Sequence, residues 1–455
     1  MTAVAKATDQ YVAAFRELES SGRAGPSWLQ QLRREALERF TERGFPTRKD
    51  EEWKYTDVSS IARGSFGLSA VGAPPVGAQG GHRSRPYEVG ERIGLLSSVQ
   101  SLEGVRLVFV DGVWDQRLSS AAKAGEVRRL ADAIADDPRL ADDLGRWADV
   151  QRNPFAALNT AFVADGALVR VPRRSAGPAL IHLVFVSEPG QERAMIQPRT
   201  LIILEAGAEA TVVETYVGEG EVEYLTNAVT EIVLQEGASL DHYKLMLEGM
   251  SAAHVATTQV HQERDSSFRS FSLALGARLA RNDLNVVLDA EGASCHLEGI
   301  AVAAGRQHID NHTSIDHAKP HGTSRQTYKT LLGGNSTGVF SGKILVRPGA
   351  QRTDAEQVNR NLLLSQRATM DTKPQLEIFA DDVRCTHGAT VGRLDTGALF
   401  YLQSRGLERR EASALLTYGF AADVIERQRS EPVRALIESL LFPWVQESFQ
   451  SGEME

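Results

Sequence analysis

The chain has 455 residues, a formal net charge of −9 and two cysteines, Cys295 and Cys385. The negative charge argues against a general nucleic-acid binder, because neutralising phosphates needs clustered lysine and arginine, and two cysteines are too few for a disulfide scaffold. The N-terminus lacks an apolar signal core, and the strongest apolar stretch, residues 179–186, is far too short to cross a membrane. We therefore expect a soluble protein of the reducing cytoplasm.

The first 62 residues predict short amphipathic helices, because apolar side chains recur there at helical spacing. The residues that define this spacing are Tyr11, Phe15 and Leu18, followed by Leu29, Leu32, Ala36 and Phe40. Ser27 is expected to be the N-cap of the second helix and Gly44 to end it.

Two regions lead from these helices to the main body of the chain. Residues 63–95 are rich in Gly, Pro and Ser and indicate a linker or a mobile loop. Residues 96–165 predict a mixed α/β segment, with a strand at 105–110 and a helix around 153–162.

Residues 166–392 consist of short segments rich in Val, Ile, Leu and Thr that are separated by turns. Gly-Ala steps recur after the apolar segments, and no segment of helical length interrupts them. The Gly-Ala steps are Gly207-Ala208, Gly237-Ala238, Gly292-Ala293 and Gly349-Ala350. A long run of strands without crossover helices disfavours a doubly wound α/β fold and favours a sandwich, a barrel or a β-solenoid. The recurring turn favours the solenoid, although its spacing is irregular.

Residues 393–455 predict helices again, with Asp395 and Ser430 as N-caps and Pro432 early in the last helix. Two interpretations of this region stay open. The helices could cap the end of the solenoid, as repeat proteins require, or they could form a docking surface for a partner.

Two glycine-rich segments match catalytic motifs only in part. Residues 334–338 fit G-x-S-x-G, but a nucleophile elbow joins a strand to a helix, and an alternating, strand-like segment follows here. Residues 338–344 form an incomplete nucleotide loop in which Ile344 stands where Ser or Thr should hold magnesium. The chain is therefore not expected to hydrolyse ATP.

The histidine-rich segment 308–321 offers imidazoles and carboxylates that could bind a metal. The β-rich surroundings and Pro320 argue against a helix that would align them. Polar side chains in a solenoid usually form hydrogen bonds to neighbouring rungs, so a structural or interface role is the favoured interpretation.

The two cysteines are expected to have different roles. In an extended segment, Cys385 and His387 lie on the same face and Thr386 on the other, so a sulfur and a nitrogen are offered to one metal or iron–sulfur group. Two ligands cannot complete such a site. Cys295 and His296 are adjacent and diverge, so Cys295 is expected to be a buried structural thiol.

Four longer motifs, in this order, resemble the SufB/SufD family of iron–sulfur cluster assembly proteins. They occupy residues 45–56, 153–162, 312–329 and 381–392, the last followed by residues 398–406. The resemblance implies a right-handed parallel β-helix with helical regions on both sides. It also implies a complex with a SufC-like ATPase, and a nascent cluster held between a SufB cysteine and a SufD histidine. His387 is the position that matches this histidine.

The absence of cysteines before Cys295 makes the chain more similar to the SufD branch of the family than to the SufB branch. The resemblance then implies a non-catalytic scaffold subunit that pairs with a SufB-like paralogue through the β-helix core and with the ATPase through the C-terminal helices. A homodimer of the isolated chain is also compatible with it. His387 and Cys385 would be ligands of a transient, shared iron–sulfur cluster; the family also allows a reduced flavin, which no motif here demonstrates.

Two alternatives to this assignment are considered. One is a stand-alone metalloenzyme built on residues 308–321. The other is a structural solenoid adaptor that does not ligate a cluster.

Overall fold

A computed structural model describes the fold. It describes residues 3–20, 25–68, 102–120, 127–175, 180–188, 193–218 and 222–450. Most of the predicted linker 63–95 lies outside these ranges.

The body of the protein is a β-solenoid of about 7 turns, built from two sheets. The first sheet, sheet A, contains β4 (Val127–Arg129), β5 (Ala167–Val171), β8 (Arg199–Leu204), β10 (Tyr224–Leu234), β12 (Ala252–Gln262), β14 (Leu279–Leu288), β16 (His308–His317), β18 (Thr337–Val346) and β20 (Thr369–Ile378), with β1 (Gly67–Leu68) and β7 (Ala194–Ile196) at its side. The second, sheet B, contains β2 (Val105–Val110), β3 (Val113–Trp114), β6 (Ile181–Ser187), β9 (Glu209–Gly218), β11 (Ser239–Glu248), β13 (Ser267–Ala274), β15 (Ser294–Ala303), β17 (Thr323–Leu332), β19 (Asp354–Leu363) and β21 (Arg384–Gly392). The predicted solenoid is confirmed.

Successive rungs pair in parallel register although they differ in length. Tyr224 pairs with Ala252, 28 positions later (252 − 224), whereas Thr337 pairs with Thr369, 32 positions later (369 − 337). The strands keep their register and the corners absorb the extra residues. The irregular spacing in the sequence therefore reflects the corners and not the repeat itself.

Three of the four Gly-Ala corners share one backbone conformation. Gly207, Gly237 and Gly292 have φ values of 68°, 68° and 75°, a left-handed conformation that glycine adopts without strain. The alanine that follows each of them is fully buried against the core between the sheets. Gly349 differs, because the left-handed residue of that corner is Arg352, with φ 58°.

The N-terminal helices cover the outer face of sheet A. The helices before the solenoid are α1 (Ala3–Ser20), α2 (Ser27–Arg43), α3 (Ser59–Arg63), α4 (Leu130–Asp136), α5 (Leu140–Asp143) and α6 (Pro154–Ala161). Ser27 is the first helical residue and Pro26 occupies the cap position, so the prediction of Ser27 as N-cap is wrong by one residue. Gly44 ends α2 as predicted, with φ 67°.

An aromatic cluster fixes these helices to the sheet. The Phe45 ring lies 5.2 Å from that of Phe40 and 5.5 Å from that of Phe155, and Trp53 stacks on Phe155 at 5.2 Å. The same cluster includes Leu225 and other apolar side chains on the outer face of sheet A. Two of the four family motifs, residues 45–56 and 153–162, therefore join the N-terminal region to the solenoid.

The C-terminal helices are α7 (Thr396–Ser404), α8 (Arg409–Ile425) and α9 (Glu431–Gln450). Asp395 caps α7 as predicted, because its carboxylate accepts from the Ala398 N–H at 2.6 Å. Ser430 directly precedes α9. Helices α8 and α9 pack on the outer face of sheet B, in one apolar cluster with side chains of β11 to β19. They cover a face of the solenoid, so the interpretation of an end cap is wrong.

The last rung is consequently left uncovered. In strands β20 and β21 every residue is half-buried or exposed, whereas the preceding strands alternate with fully buried positions. Both strands are the outermost members of their sheets. The C-terminal end of the solenoid thus presents its core and two strand edges, and we call this surface the open end.

Lys329 on β17 is the polar anchor of α8. Its ammonium group donates to the Phe420 carbonyl at 2.6 Å and pairs with Asp423, and its side chain is only 4% exposed. We expect Lys329→Met to lower the free energy of unfolding by about 2 kcal/mol, because charge-assisted hydrogen bonds in a buried place are lost. Urea unfolding measures this loss, and hydrogen exchange should increase in α8.

The control is Arg39→Met, which removes an exposed pair between Arg39 and Glu42 on α2. It should cost no more than about 1 kcal/mol. Equal losses for the two variants would contradict the anchoring role of Lys329.

Candidate functional site

The two predicted ligands lie on β21 at the open end. Cys385 packs against the core between the sheets, and His387 is two residues further along the same strand, on the same face. Thr386 is exposed on the opposite face. The predicted geometry of this segment is therefore present.

The Cys385 thiol is half-buried, and this burial raises its pKa, although the Ala355 backbone partly opposes the effect. The nearby carboxylate of Asp354 raises the pKa further. The thiol is consequently protonated at neutral pH, and a metal would have to displace its proton before the sulfur could bind.

His387 is exposed, and its neighbour in register on β19 is the fully buried Gln357. Within the described part of the chain, no side chain forms a hydrogen bond to the His387 imidazole. The imidazole is thus exposed at the open end of the solenoid. An exposed imidazole beside a half-buried thiol can supply two of the ligands that a metal or cluster needs, and no more.

The other cysteine lies too far away to help. Cys295, Ser324, Ala355 and Cys385 are consecutive in-register positions on four neighbouring strands of sheet B. Three strand spacings separate the two cysteines by about 14 Å. Cys295 is fully buried, and burial raises the pKa of its thiol, so it is the structural thiol that the sequence predicted.

The histidines of residues 308–321 do not converge. On β16, His308 and His312 point outward toward the N-terminal region, whereas His317 points into the core and contacts Ser324 at 2.9 Å. His321 lies in the following corner with φ 60°. Among the described residues, no three His, Cys, Asp or Glu side chains are grouped in a way that could hold a metal ion.

The outward side chains instead belong to an ionic cluster that sequence reasoning missed. Asp310 accepts from Thr56 at 2.5 Å and from Arg281 at 2.7 Å, and the Arg281 guanidinium lies 3.8 Å from the centroid of the Trp53 ring. His312 lies 3.0 Å from Asp310. The signal available in the sequence was the presence of Trp53 and Thr56 in one family motif and His312 in another; Arg281 carried no signal.

Charge strongly shifts the pKa of His312. Burial alone would lower it, but the carboxylate of Asp310 and contacts with Glu52 raise it to about 9. Arg281 opposes the shift. The imidazolium is therefore the form that joins residues 51–56 to the solenoid at neutral pH.

A second polar cluster lies deep between the sheets. Glu214 accepts from Tyr216 at 3.0 Å and from Thr230 at 2.8 Å, with Lys244 at 4.0 Å. Burial raises the pKa of Glu214, but the interactions with His242 and Lys244 lower it to about 2. These side chains are inaccessible to solvent, so they stabilise the interior and do not form an open site.

Neither glycine-rich motif has a catalytic setting. Residues 334–338 lie in the corner before β18 and at its start, and residues 338–344 lie within that strand. A nucleophile elbow and a phosphate loop both require a helix at that place.

None of the described helices has the length and apolar character needed to span a membrane.

Comparison with known proteins agrees with this architecture. Residues 185–420 match the family model for the SufBD core domain of SUF-system FeS cluster assembly, and residues 5–181 match that for the SufBD N-terminal region. A SufBD family iron–sulfur cluster assembly protein of Synechocystis is 33% identical over 92% of each chain. Escherichia coli SufD is 32% identical over 88% of this chain and 89% of its own, and Bacillus subtilis SufD is 26% identical over 95% and 96%.

The chain therefore belongs to the SufBD family of iron–sulfur cluster assembly proteins. The regions that the two family models match meet at β6.

The raised pKa of His312 predicts a pH-dependent stability. The protonated His312 side chain stabilises the folded state, because the folded state binds this proton more tightly than the unfolded state. This stabilisation is fully present below the ordinary pKa of 6.5 and is lost as the pH rises toward about 9. Between pH 6.5 and about 9, we expect the free energy of unfolding of the native chain to fall by about 2 kcal/mol more than that of His312→Gln. Urea unfolding measures both values. Parallel pH profiles for the two proteins would contradict this assignment.

Proposed function

We propose that this protein is a SufD-type, non-catalytic scaffold subunit of a complex that assembles iron–sulfur clusters. His387 and Cys385 would contribute to a nascent cluster site that a SufB-like paralogue completes. The observation that carries the proposal is their position on one face of the last strand, at the open end of the solenoid. The membership of the family supports it.

The open end has the features of an interface. Strand edges with free backbone groups are templates for pairing with another chain, and repeat proteins need their terminal rung covered. Pro374 lies in β20 and lacks an N–H group, whereas β21 contains no proline. The edge of sheet B, which carries both ligands, is thus the more complete template for a SufB-like solenoid, or for a second copy when the chain is isolated.

The chemistry of the two ligands favours a shared and releasable cluster. A protonated thiol and one imidazole are a weak site alone, so the partner would have to supply further thiolates. A small movement between the two chains would then separate the ligands. A SufC-like ATPase that binds differently to the two arrangements could drive this movement.

The His387→Ala variant tests this role directly. When the chain is co-expressed with SufB-like and SufC-like partners, we expect the iron and sulfide content of the purified complex to fall about tenfold, because one ligand is lost. The amounts of the partners in the complex should not change. Both contents are measured chemically on complexes of verified composition.

Thr386→Ala is the matched control, because it removes a side chain from the opposite face of the same strand. It should leave iron and sulfide at the native level. If His387→Ala also retained them, the cluster-ligand role would be wrong.

We further propose that the ATPase subunit docks on the C-terminal helices. Four large apolar side chains there are exposed, by 73% for Phe400, 56% for Tyr401, 45% for Leu415 and 41% for Phe442. Phe442 contacts Tyr418, which lies one turn from Leu415 on α8. This apolar patch of Leu415, Tyr418 and Phe442 lies on α8 and α9, and its exposed members fit the apolar centre of a protein interface.

Surface substitution tests this docking better than truncation, because α8 and α9 also cover the core of sheet B. We expect Leu415→Glu with Phe442→Glu to weaken binding of a SufC-like ATPase by at least about 30-fold, since two interface anchors are lost. Calorimetric titration measures the affinity. Met250→Glu is the control, because Met250 is 53% exposed but lies between β11 and β12; an equal effect of both changes would contradict the proposed surface.

A further inference from the structure

A one-way chain of amide hydrogen bonds runs through the core toward the open end. Gln326 on β17 donates from Nε2 to Thr313 Oγ1 on β16. Gln357 on β19 donates from Nε2 to Gln326 Oε1 at 2.8 Å. Gln326, Gln357 and His387 are consecutive in-register positions of sheet B. The bond between Gln357 and Gln326 therefore runs along the solenoid axis between neighbouring rungs, and the bond between Gln326 and Thr313 crosses the core to sheet A.

The last acceptor of this chain is unused. Gln357 is fully buried, and its Oε1 has no hydrogen-bond partner in the described structure. Because its Nε2 is committed to the rung below, Oε1 is the atom of this amide that is left to accept from the rung above. A buried amide oxygen without a hydrogen bond destabilises the folded state by about 1–3 kcal/mol. A donor within reach of Oε1 would therefore stabilise the fold.

The surrounding residues hold this amide in place. Gly342 on β18 lies across the core, and a Cβ at Gly342 would overlap Gln357 Nε2. The side chain of Gln357 therefore occupies space that only glycine leaves free on the opposite strand. The amide is packed against this backbone, which restricts its rotation.

The residue in the next rung above Gln357 is His387. Histidine Nε2 and glutamine Oε1 are the same number of bonds from their Cα atoms, so the two atoms reach about equally far from their strands. Neighbouring strands lie about 4.8 Å apart. We propose that Gln357 is a positioning residue that accepts a hydrogen bond from His387 Nε2–H, and that this bond leaves the Nδ1 lone pair directed to the open end. This inference rests on the proposed function of His387 and goes beyond it.

The chemical consequence concerns the tautomer and the orientation of the ring. A histidine that binds a metal usually donates its other N–H to a fixed acceptor, which selects the tautomer and restrains the ring. The amide chain from Thr313 to Gln357 would provide this acceptor from within the solenoid. His387 would then be oriented before the partner subunit or the metal arrives.

The test measures the His387 N–H in the isolated full chain. In a sample labelled with ¹⁵N-histidine and kept near pH 8, we expect a His387 Nε2–H signal that exchanges slowly with water. The signal is assigned by its absence in His387→Ala. In Gln357→Met, which keeps the length of the side chain but removes the acceptor, the signal should be lost to rapid exchange. Gln326→Met should also weaken it, because it releases the Gln357 amide.

Asn361→Leu is the matched control. Asn361 is a buried amide on the same strand, and its Oδ1 also lacks a partner among the described residues. Its neighbour in register is Val391, which has no side-chain donor. This variant should retain the slowly exchanging His387 signal. Urea unfolding of all variants shows whether the fold is kept.

The two proposals fail in different ways. Absence of a protected Nε2–H in the native chain, or its persistence in Gln357→Met, would overturn the positioning role whatever the cluster content. Iron content that is unchanged in His387→Ala complexes would instead overturn the ligand role. If both hold, Gln357→Met complexes should retain about one tenth of the native iron, with the same partner composition.

Discussion

Parallel, in-register hydrogen bonding between successive rungs is the constraint on which the rest of this structure depends. Each residue of a strand lies beside its counterpart one rung away, so side chains form columns along the solenoid axis. A column can be apolar, as in most of the core, or polar, as for Gln326 and Gln357. Because the corners absorb differences in rung length, the columns remain aligned even where the chain between them varies from rung to rung.

The same constraint leaves the fold incomplete at one end. A stacked sheet can satisfy its last strand only with another strand or a cap, and the C-terminal helices pack on a face of the solenoid. The N-terminal region covers the opposite face through the aromatic cluster and the Asp310 cluster. With both faces covered, the open end and the outer side of α7 to α9 are the surfaces with the clearest character of interfaces.

The open end is also where the chemistry of the chain is concentrated. Cys295 and the buried Glu214 cluster are sealed in the interior, and the histidines of β16 stabilise the N-terminal region. Cys385 and His387 remain near solvent, and among the residues that the structure describes no further ligands complete a metal site beside them. Membership of a family of iron–sulfur cluster assembly proteins supports the proposal that these two side chains contribute to a cluster site that a second chain completes.

The sequence by itself determined the solenoid, the helical regions and the pairing of Cys385 with His387 on one face, because strand alternation and turn chemistry are local properties. It did not reveal that the C-terminal helices cover a face, since that choice depends on apolar side chains of distant strands. Nor could it show that Arg281 and Asp310 join the N-terminal segment, or that Gln357 lies under His387. Those contacts link residues many positions apart, and only the register of the folded rungs brings them together.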